Sequence, residues 1–375
     1  MGAGRAQGRN EAGMSGAGAR PGVAKQFRRL APTVLHKAGC ALFEAMGVPP
    51  ADAALTTDVF VDADLRGEES HGFRLLLIHL ERLKTGVIRP EPKVTVLRDK
   101  GAVAHWDAHH SLGQVVGARA MELAISKARD FGIGAVSVRA NNSITSVKYY
   151  PLMAARAGMI GMAYSNSHPM MPPEGGMTRK IGNNPMSWAA PAGTERPFVL
   201  DMACSMVARE RVRQAAAEGQ PIPLGWALDR SGNPTTDADE AVASGVQLPF
   251  GGYKAFGLSM AHEILTSVLS GGDFATGKGS GHRPYDNFFN ASHYFQAIDI
   301  SFFSDADEFR HRVDRMIREV RSSERRPGVE HIYSPGDRGF LEMEKRREQG
   351  VPMHPGVLEG IERWSRELGV AIDLE

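Results

Sequence analysis

Apolar positions recur at helical spacing near both ends of the chain and crowd into short runs in its middle. Within residues 27–65, Leu55, Val59 and Ala63 are spaced by four and line one face of a helix. Over 71–85, Leu76, Leu80 and Leu83 continue the pattern, and Gly86 stops it. The texture then changes. Leu112, Val116, Ala120, Leu123 and Phe131 mark an amphipathic helix closed by Gly132, and a short apolar strand follows over 133–138. Residues 150–157 read as a helix, while 159–164, 197–202 and 293–299 read as strands. From Asp305 onward the chain is charged and helical again. Helices alternating with short apolar strands predict an α/β, or mixed α+β, fold around one central sheet, with helical ends and no internal repeat.

Residues 1–26 depart from this texture. They are rich in Gly, Ala and Arg and hold almost no large apolar side chains. Such a segment cannot offset its ordering entropy by burial, so a disordered tail is expected.

Composition narrows the chemistry. At 375 residues and 42% hydrophobic content the chain can bury a sizeable core. The net charge of +1 gives no concentrated basic surface for a nucleic-acid partner. No run of 18 apolar residues exists to span a membrane. The two cysteines, Cys40 and Cys204, are too few for a disulfide framework or a structural zinc site, so no metal and a reducing, cytoplasmic setting are expected.

Three familiar motifs fail on inspection. Gly132-Ile133-Gly134 lacks the third glycine of a dinucleotide fingerprint and opens a strand after a helix, the reverse of the required order. Gly272 to Lys278 has the spacing of a phosphate loop, but Gly279 stands where a Mg²⁺-binding hydroxyl belongs. His262-Glu263 begins a zinc-protease pattern, but Thr266 replaces the second histidine.

Four stretches can carry chemistry. Arg66 to Gly72 places Ser70 and His71 at a helix start, where an imidazole can transfer a proton near neutrality. Asn166 to Pro185 is a long Pro/Gly-rich loop between two strands, and loops of that length are usually functional. It holds Ser167 and His168. Asp201 ends an apolar strand, where α/β sheets bind ligands or where it simply caps a helix. Leu248 to Lys254 puts a cation after a Gly-rich turn that opens a helix, a plausible phosphate contact or a solvated helix start.

Taken in order, Ser70-His71-Gly72, the 166–185 loop, 199–205, the Pro-x-Gly-Gly-x-Lys stretch at 249–254 and Ser334-Pro335-Gly336-Asp337 resemble the type 2 malate/L-lactate dehydrogenase family over roughly residues 27–340. The resemblance implies a hydride transfer between NAD or NADP and a small 2-oxo or 2-hydroxy acid, without a Rossmann fingerprint. It implies a homodimer. It also implies a helical domain built from both chain ends, 27–100 with 304–375, beside a central sheet domain over 101–303 that carries the cofactor site. His71 would exchange the proton at the substrate oxygen, with Ser70 and Asp201 as its relay. Arg74, Ser143 and His168 would meet the substrate. Ser167, Asp201, Met202, Ala203, Tyr253, Lys254, Gly336 and Asp337 would line the cofactor.

The chain also departs from the family. Leu75 stands where many members carry a substrate arginine, and Arg74 lies one place early, about 100° round a helix. Ser143 replaces a histidine, Thr145 and Lys148 stand where small glycines are usual, and Ala255 replaces the glycine after the cofactor lysine. These changes gather on the substrate side and point to an unusual substrate or reduced activity. A cyclic imine needs the same hydride and proton, so an imine reductase is an alternative, as is a nucleotide-binding homologue without turnover.

Overall fold

The computed structural model describes residues 27–279, 285 and 287–375; the expected tail over 1–26 lies outside the described residues. A short strand and three helices come first: β1 (Arg28–Leu30), α1 (Pro32–Ala45), α2 (Pro50–Leu65) and α3 (Phe73–Lys84). The sheet opens with the hairpin β2 (Thr95–Lys100) and β3 (Val103–Asp107). It continues through α4 (Gly113–Phe131), β4 (Ile133–Asn141), α5 (Tyr149–Arg156), β5 (Ile160–Ser165), β6 (Met186–Ala190) and β7 (Phe198–Met202). An excursion carries α6 (Arg209–Ala217), β8 (Ala227–Leu228), β9 (Pro234–Thr235) and α7 (Ala238–Ser244). Helix α8 (Tyr253–Glu263) runs into a π-helical turn over Ile264–Val268, and β10 (Ala291–Ile298) returns to the sheet. The chain closes with α9 (Ala306–Arg321), α10 (Asp337–Gln349), β11 (Val351–Met353) and α11 (Pro355–Leu368).

The result is a mixed α/β fold. Its seven-stranded sheet has the order β2-β3-β4-β10-β5-β6-β7, parallel between β3 and β4 and antiparallel elsewhere. The late strand β10 sits at the centre, with Phe295 opposite Val136 on one side and Ala163 on the other. Helix α4 covers the sheet with Val116, Met121, Ala124 and Ala128, which pack with Val136, Val138, Tyr150 and Phe295. Two glycines make this approach possible. A Cβ on Gly134 would stand 2.0 Å from the Ala124 carbonyl oxygen, and Gly132 ends α4 in the left-handed conformation at φ 78°.

A second core joins the two ends of the chain. Leu35, Leu42, Phe43, Phe60, Phe73, Leu76 and Leu80 pack with Met343, Val357, Ile361 and Trp364. Strand β1 pairs with β11, Leu30 opposite Val351, and ties the ends by backbone bonds.

Two parts differ from the sequence expectation. The apolar pattern marks no element over residues 95–100, yet they form the edge strand β2, exposed along its whole length. An edge strand with neither face buried shows no apolar alternation to betray it. Strand β6 was also illegible, because Met186–Ala190 is short and lacks β-branched residues. Helix α9 belongs to the charged end, but its Asp314 accepts the backbone N–H groups of Gly193, Thr194 and Glu195 in the β6–β7 turn.

The tight approach of α4 to β4 is testable. Gly134→Ala should destabilise the fold by about 1–3 kcal/mol through overpacking against backbone that has little room to move. Urea unfolding would measure it, and an unchanged midpoint would show that α4 can shift to admit a methyl group.

Candidate functional site

The turn between α2 and α3 is built around a buried carboxylate. Asp64, near the end of α2, accepts the Phe73 N–H at 2.8 Å and so caps α3. A Cβ at Gly72 would lie 2.0 Å from the Asp64 carboxyl carbon, which is why glycine follows His71. Burial pushes the Asp64 carboxyl up to about 7, against the Phe73 N–H, which favours its ionised form. Arg346 donates to the Asp64 backbone oxygen at 2.7 Å and links the turn to α10.

On this support the Ser70 hydroxyl lies 3.0 Å from His71 Nδ1, leaving Nε2 for a ligand. His71 is exposed by its accessible area, yet protein atoms crowd round its ring. Partial desolvation lowers its pKa below the usual histidine value, and the carboxylates of Asp201 and Glu210 oppose the shift.

Asp201 stands near the end of β7, opposite Ser187 of β6. Burial raises its pKa, while Lys148 and His71 draw it down. Lys148 precedes α5 and is buried; its Nζ is bonded to Glu68 and lies 3.7 Å from Asp201 Oδ2. Ser146 donates to the other Glu68 oxygen at 3.2 Å. Burial lowers the Lys148 pKa and Asp201 opposes that. Ser70, His71, Asp201, Lys148 and Glu68 thus form one polar constellation from three separate parts of the chain.

Arg74 is half-exposed and bonded to Glu210 of α6 at 2.5 Å; Arg213 reaches the other oxygen at 2.7 Å. Although burial pushes Glu210 up, the two guanidinium groups hold it below the usual carboxylate range. Ser143 turns its hydroxyl into its own loop, accepting the Thr145 N–H at 3.2 Å. Thr145 occupies φ 66°, a left-handed conformation that suits the glycine of the family pattern. Its hydroxyl accepts from Gln114 at 2.5 Å, a bond that offsets the strain. His168 is half-buried in the 166–185 loop.

The residues expected at the cofactor converge through backbone bonds. Ser167 donates its hydroxyl to Asn183 at 2.7 Å and accepts the Asn183 N–H at 2.9 Å. Cys204 N–H donates to the Asn183 carbonyl, and Phe250 N–H to the Cys204 carbonyl. So the loop, the strip Asp201–Ala203 and the start of α8 form one seam. Gly251 and Gly252 both have φ near 60°, and α8 then begins without a side-chain cap, with Tyr253 and Lys254 exposed. Helix N–H groups without a side-chain cap, an exposed cation and a hydroxyl suit the diphosphate of a dinucleotide, so this donor set fits such a cofactor.

Gly336 and Asp337 are held in a turn of their own. Both Asp337 oxygens take Arg321 at 2.8 Å, and one also takes the Ser334 N–H. With Val199 N–H on the Pro335 carbonyl, they anchor this segment along the edge of β7. Sequence reasoning passed over Asp64, Glu68 and Glu210. Glu68 lay inside the flagged 66–72 cluster, whereas Asp64 and Glu210 gave no local signal.

A family model described as malate/L-lactate dehydrogenase matches residues 30–362. Over 338 residues the chain is 40% identical to the malate dehydrogenase of Pyrococcus horikoshii, covering 87% of this chain and 91% of that protein. Over 333 residues it is 37% identical to the L-sulfolactate dehydrogenase of Methanocaldococcus jannaschii, covering 88% and 95%. The solved structure of sulfolactate dehydrogenase from M. jannaschii matches with a TM-score of 0.87 at 36% identity, over 92% of this chain and 98% of that one.

The buried Asp64 generates a pH prediction. Its folded-state pKa of about 7 lies above its ordinary value of 3.8, so its contribution to stability is full at acid pH and is lost as pH rises through about 7. Asp64→Asn keeps the acceptor for Phe73 and removes the titration. Unfolding free energies measured from about pH 4 to pH 8 should fall for the native protein relative to the variant. Parallel profiles would mean that Asp64 is not the source.

Proposed function

The chain belongs to the malate/L-lactate dehydrogenase family and is an NAD(P)-dependent oxidoreductase of 2-hydroxy acids; from that premise we propose that His71 is its acid–base group, supported by Ser70 and Asp201. The single observation that carries this reading is the Ser70–His71 pair, exposed at the α2–α3 turn and in the electrostatic reach of Asp201. The bound nicotinamide supplies or accepts a hydride at the substrate's C2. Reduction of a 2-oxo acid would leave an alkoxide, too basic to go unstabilised in a partly dry site. A protonated His71 gives that oxygen its proton; a neutral His71 takes the hydroxyl proton in the reverse direction. Ser70 holds Nδ1 and so aims the ring. The Asp201 carboxylate favours the imidazolium form.

Ser167, Asp201, Met202, Ala203, Tyr253, Lys254, Gly336 and Asp337, with the start of α8, hold the cofactor in this reading. Arg74 is the candidate for the substrate carboxylate, with Ser143 and His168 beside the substrate. Glu210 already engages Arg74, so a substrate anion has to compete for it. The relatives named for malate and sulfolactate make acids with a second acidic group the first to try. A cytoplasmic location suits the free Cys40 and Cys204.

His71→Ala should cut turnover by about 10²–10⁴-fold at equal folded concentration and leave cofactor affinity nearly unchanged. His168→Ala is the control, since His168 is the strongest rival in the sequence. If His168→Ala abolishes turnover and His71→Ala does not, the assignment is wrong.

A homodimer is the proposed assembly. Tyr253, Met260, Ile264, Val268 and Leu269 recur at helical spacing along α8 and its π-helical extension, and each is exposed in the single chain. Light scattering should report about twice the 40.6 kDa chain mass, and Ile264→Glu should halve it without lowering the melting temperature of the subunit. A monomer in the unaltered protein would refute the dimer.

A further inference from the structure

Lys148 is a buried cation at the catalytic centre, in a place where the family pattern has a glycine. We propose that it is a positioning residue of the reaction, whose ammonium, held between Glu68 and Asp201, orients the Asp201 carboxylate and limits how tightly the His71–Asp201 pair holds a proton. The inference rests on the assignment of His71 and Asp201 made above.

The geometry carries it. Lys148 Nζ is bonded to Glu68 and stands 3.7 Å from Asp201 Oδ2, with its side chain almost wholly out of water. Glu68 is itself held by Ser146. Asp62 lies near, but its carboxylate is occupied by Arg66 Nε at 2.8 Å. Among the described residues, the charged groups that face the pair are Lys148 from the start of α5, Glu68 and Arg66 from the α2–α3 turn, Asp62 from α2 and Glu210 from α6. Among them Lys148 is the cation nearest to Asp201.

The consequence follows from electrostatics. An aspartate beside a histidine in a desolvated cleft tends to lock the imidazole as imidazolium. A cation next to that aspartate weakens the hold. His71 then gives up its proton nearer to neutrality. In the oxidation direction the substrate O–H bond breaks and its proton passes to His71, while a bound oxidised nicotinamide would take up the C2 hydride. That step needs a neutral imidazole at working pH, and Lys148 helps to keep it so. Glu68 acts the other way, by neutralising part of the ammonium's field.

The two residues therefore predict displacements of opposite sign. The acid limb of kcat/KM for 2-hydroxy-acid oxidation is compared among the unaltered protein, Lys148→Met, Lys148→Arg and Glu68→Gln. The His71 imidazole is titrated in parallel by NMR on the full chain, its signal identified by loss in His71→Ala. Lys148→Met should move both readouts up by about one pH unit, the usual effect of one charge at this range. Glu68→Gln should move them down, and Lys148→Arg should keep the native profile. If Lys148→Met does not fold, the Glu68→Gln/Lys148→Met double variant removes the Glu68 carboxylate that the single change would strand and should show a smaller upward displacement. Unmoved profiles, or displacements of the same sign for Lys148→Met and Glu68→Gln, overturn the proposal. Full turnover in His71→Ala would instead sink the assignment of the acid on which it rests.

Discussion

Strand β10 is the element on which the rest depends. It pairs with β4 along one edge and with β5 along the other, so a segment from late in the chain closes a sheet whose other strands come earlier. Its Phe295 is fully buried against Tyr150 and α4. Remove that strand and β2–β4, with α4, lose the one ladder that joins them to β5–β7 among the described residues. The site straddles this join. The loop after β4 brings Ser146 and Lys148, whereas β7 brings Asp201, and both meet the α2–α3 turn.

A second constraint keeps the long 166–185 loop in one conformation. Asn166 and Asn184 are buried, and buried amides must find partners. Asn184 donates to the Ser259 carbonyl and to Glu263, and Asn166 donates to Ser267 and to the Asp273 carbonyl. These bonds clamp an irregular loop onto α8 and its π-helical turn. An inserted residue of that kind in a helix is often found at functional sites, and here it turns Ser267 toward Asn166. The loop is thus irregular in form but fixed by polar satisfaction, which a cofactor-binding surface requires.

The charges at the site are arranged in compensated chains. Arg346 links Glu69 and Glu342 and also reaches the Asp64 backbone; Lys148 links Glu68 and Asp201; Glu210 links Arg74 and Arg213. For the buried Lys148 and Arg346, loss of a partner would cost more than the pair itself contributes, because desolvation has already been incurred. Such coupling means that the departures at Thr145 and Lys148 from the family pattern are accommodated locally. Thr145 has Gln114 to hold it in a left-handed conformation, and Lys148 has Glu68.

What the sequence determined by itself is what repeats locally. The spacing of Leu76, Leu80 and Leu83 specifies α3, that of Val116 and Ala120 specifies α4, and the short apolar runs specify β4, β5 and β7. The adjacency of Ser70, His71 and Gly72 placed a hydroxyl and an imidazole together before any packing was known, and the ordered motifs carried the family. Tertiary structure alone decided the rest. Strand β2 has no buried face, so no alternation announces it. Arg74 and Asp337 carry expectations of ligand contact in the sequence, but which opposite charge stands beside each is decided by the fold. Glu210 and Arg321 are those charges here. Asp64, Glu68 and Lys148 are distant in sequence from some of the groups they serve, and only the closing of the sheet by β10 and the packing of the chain ends brings them within bonding range.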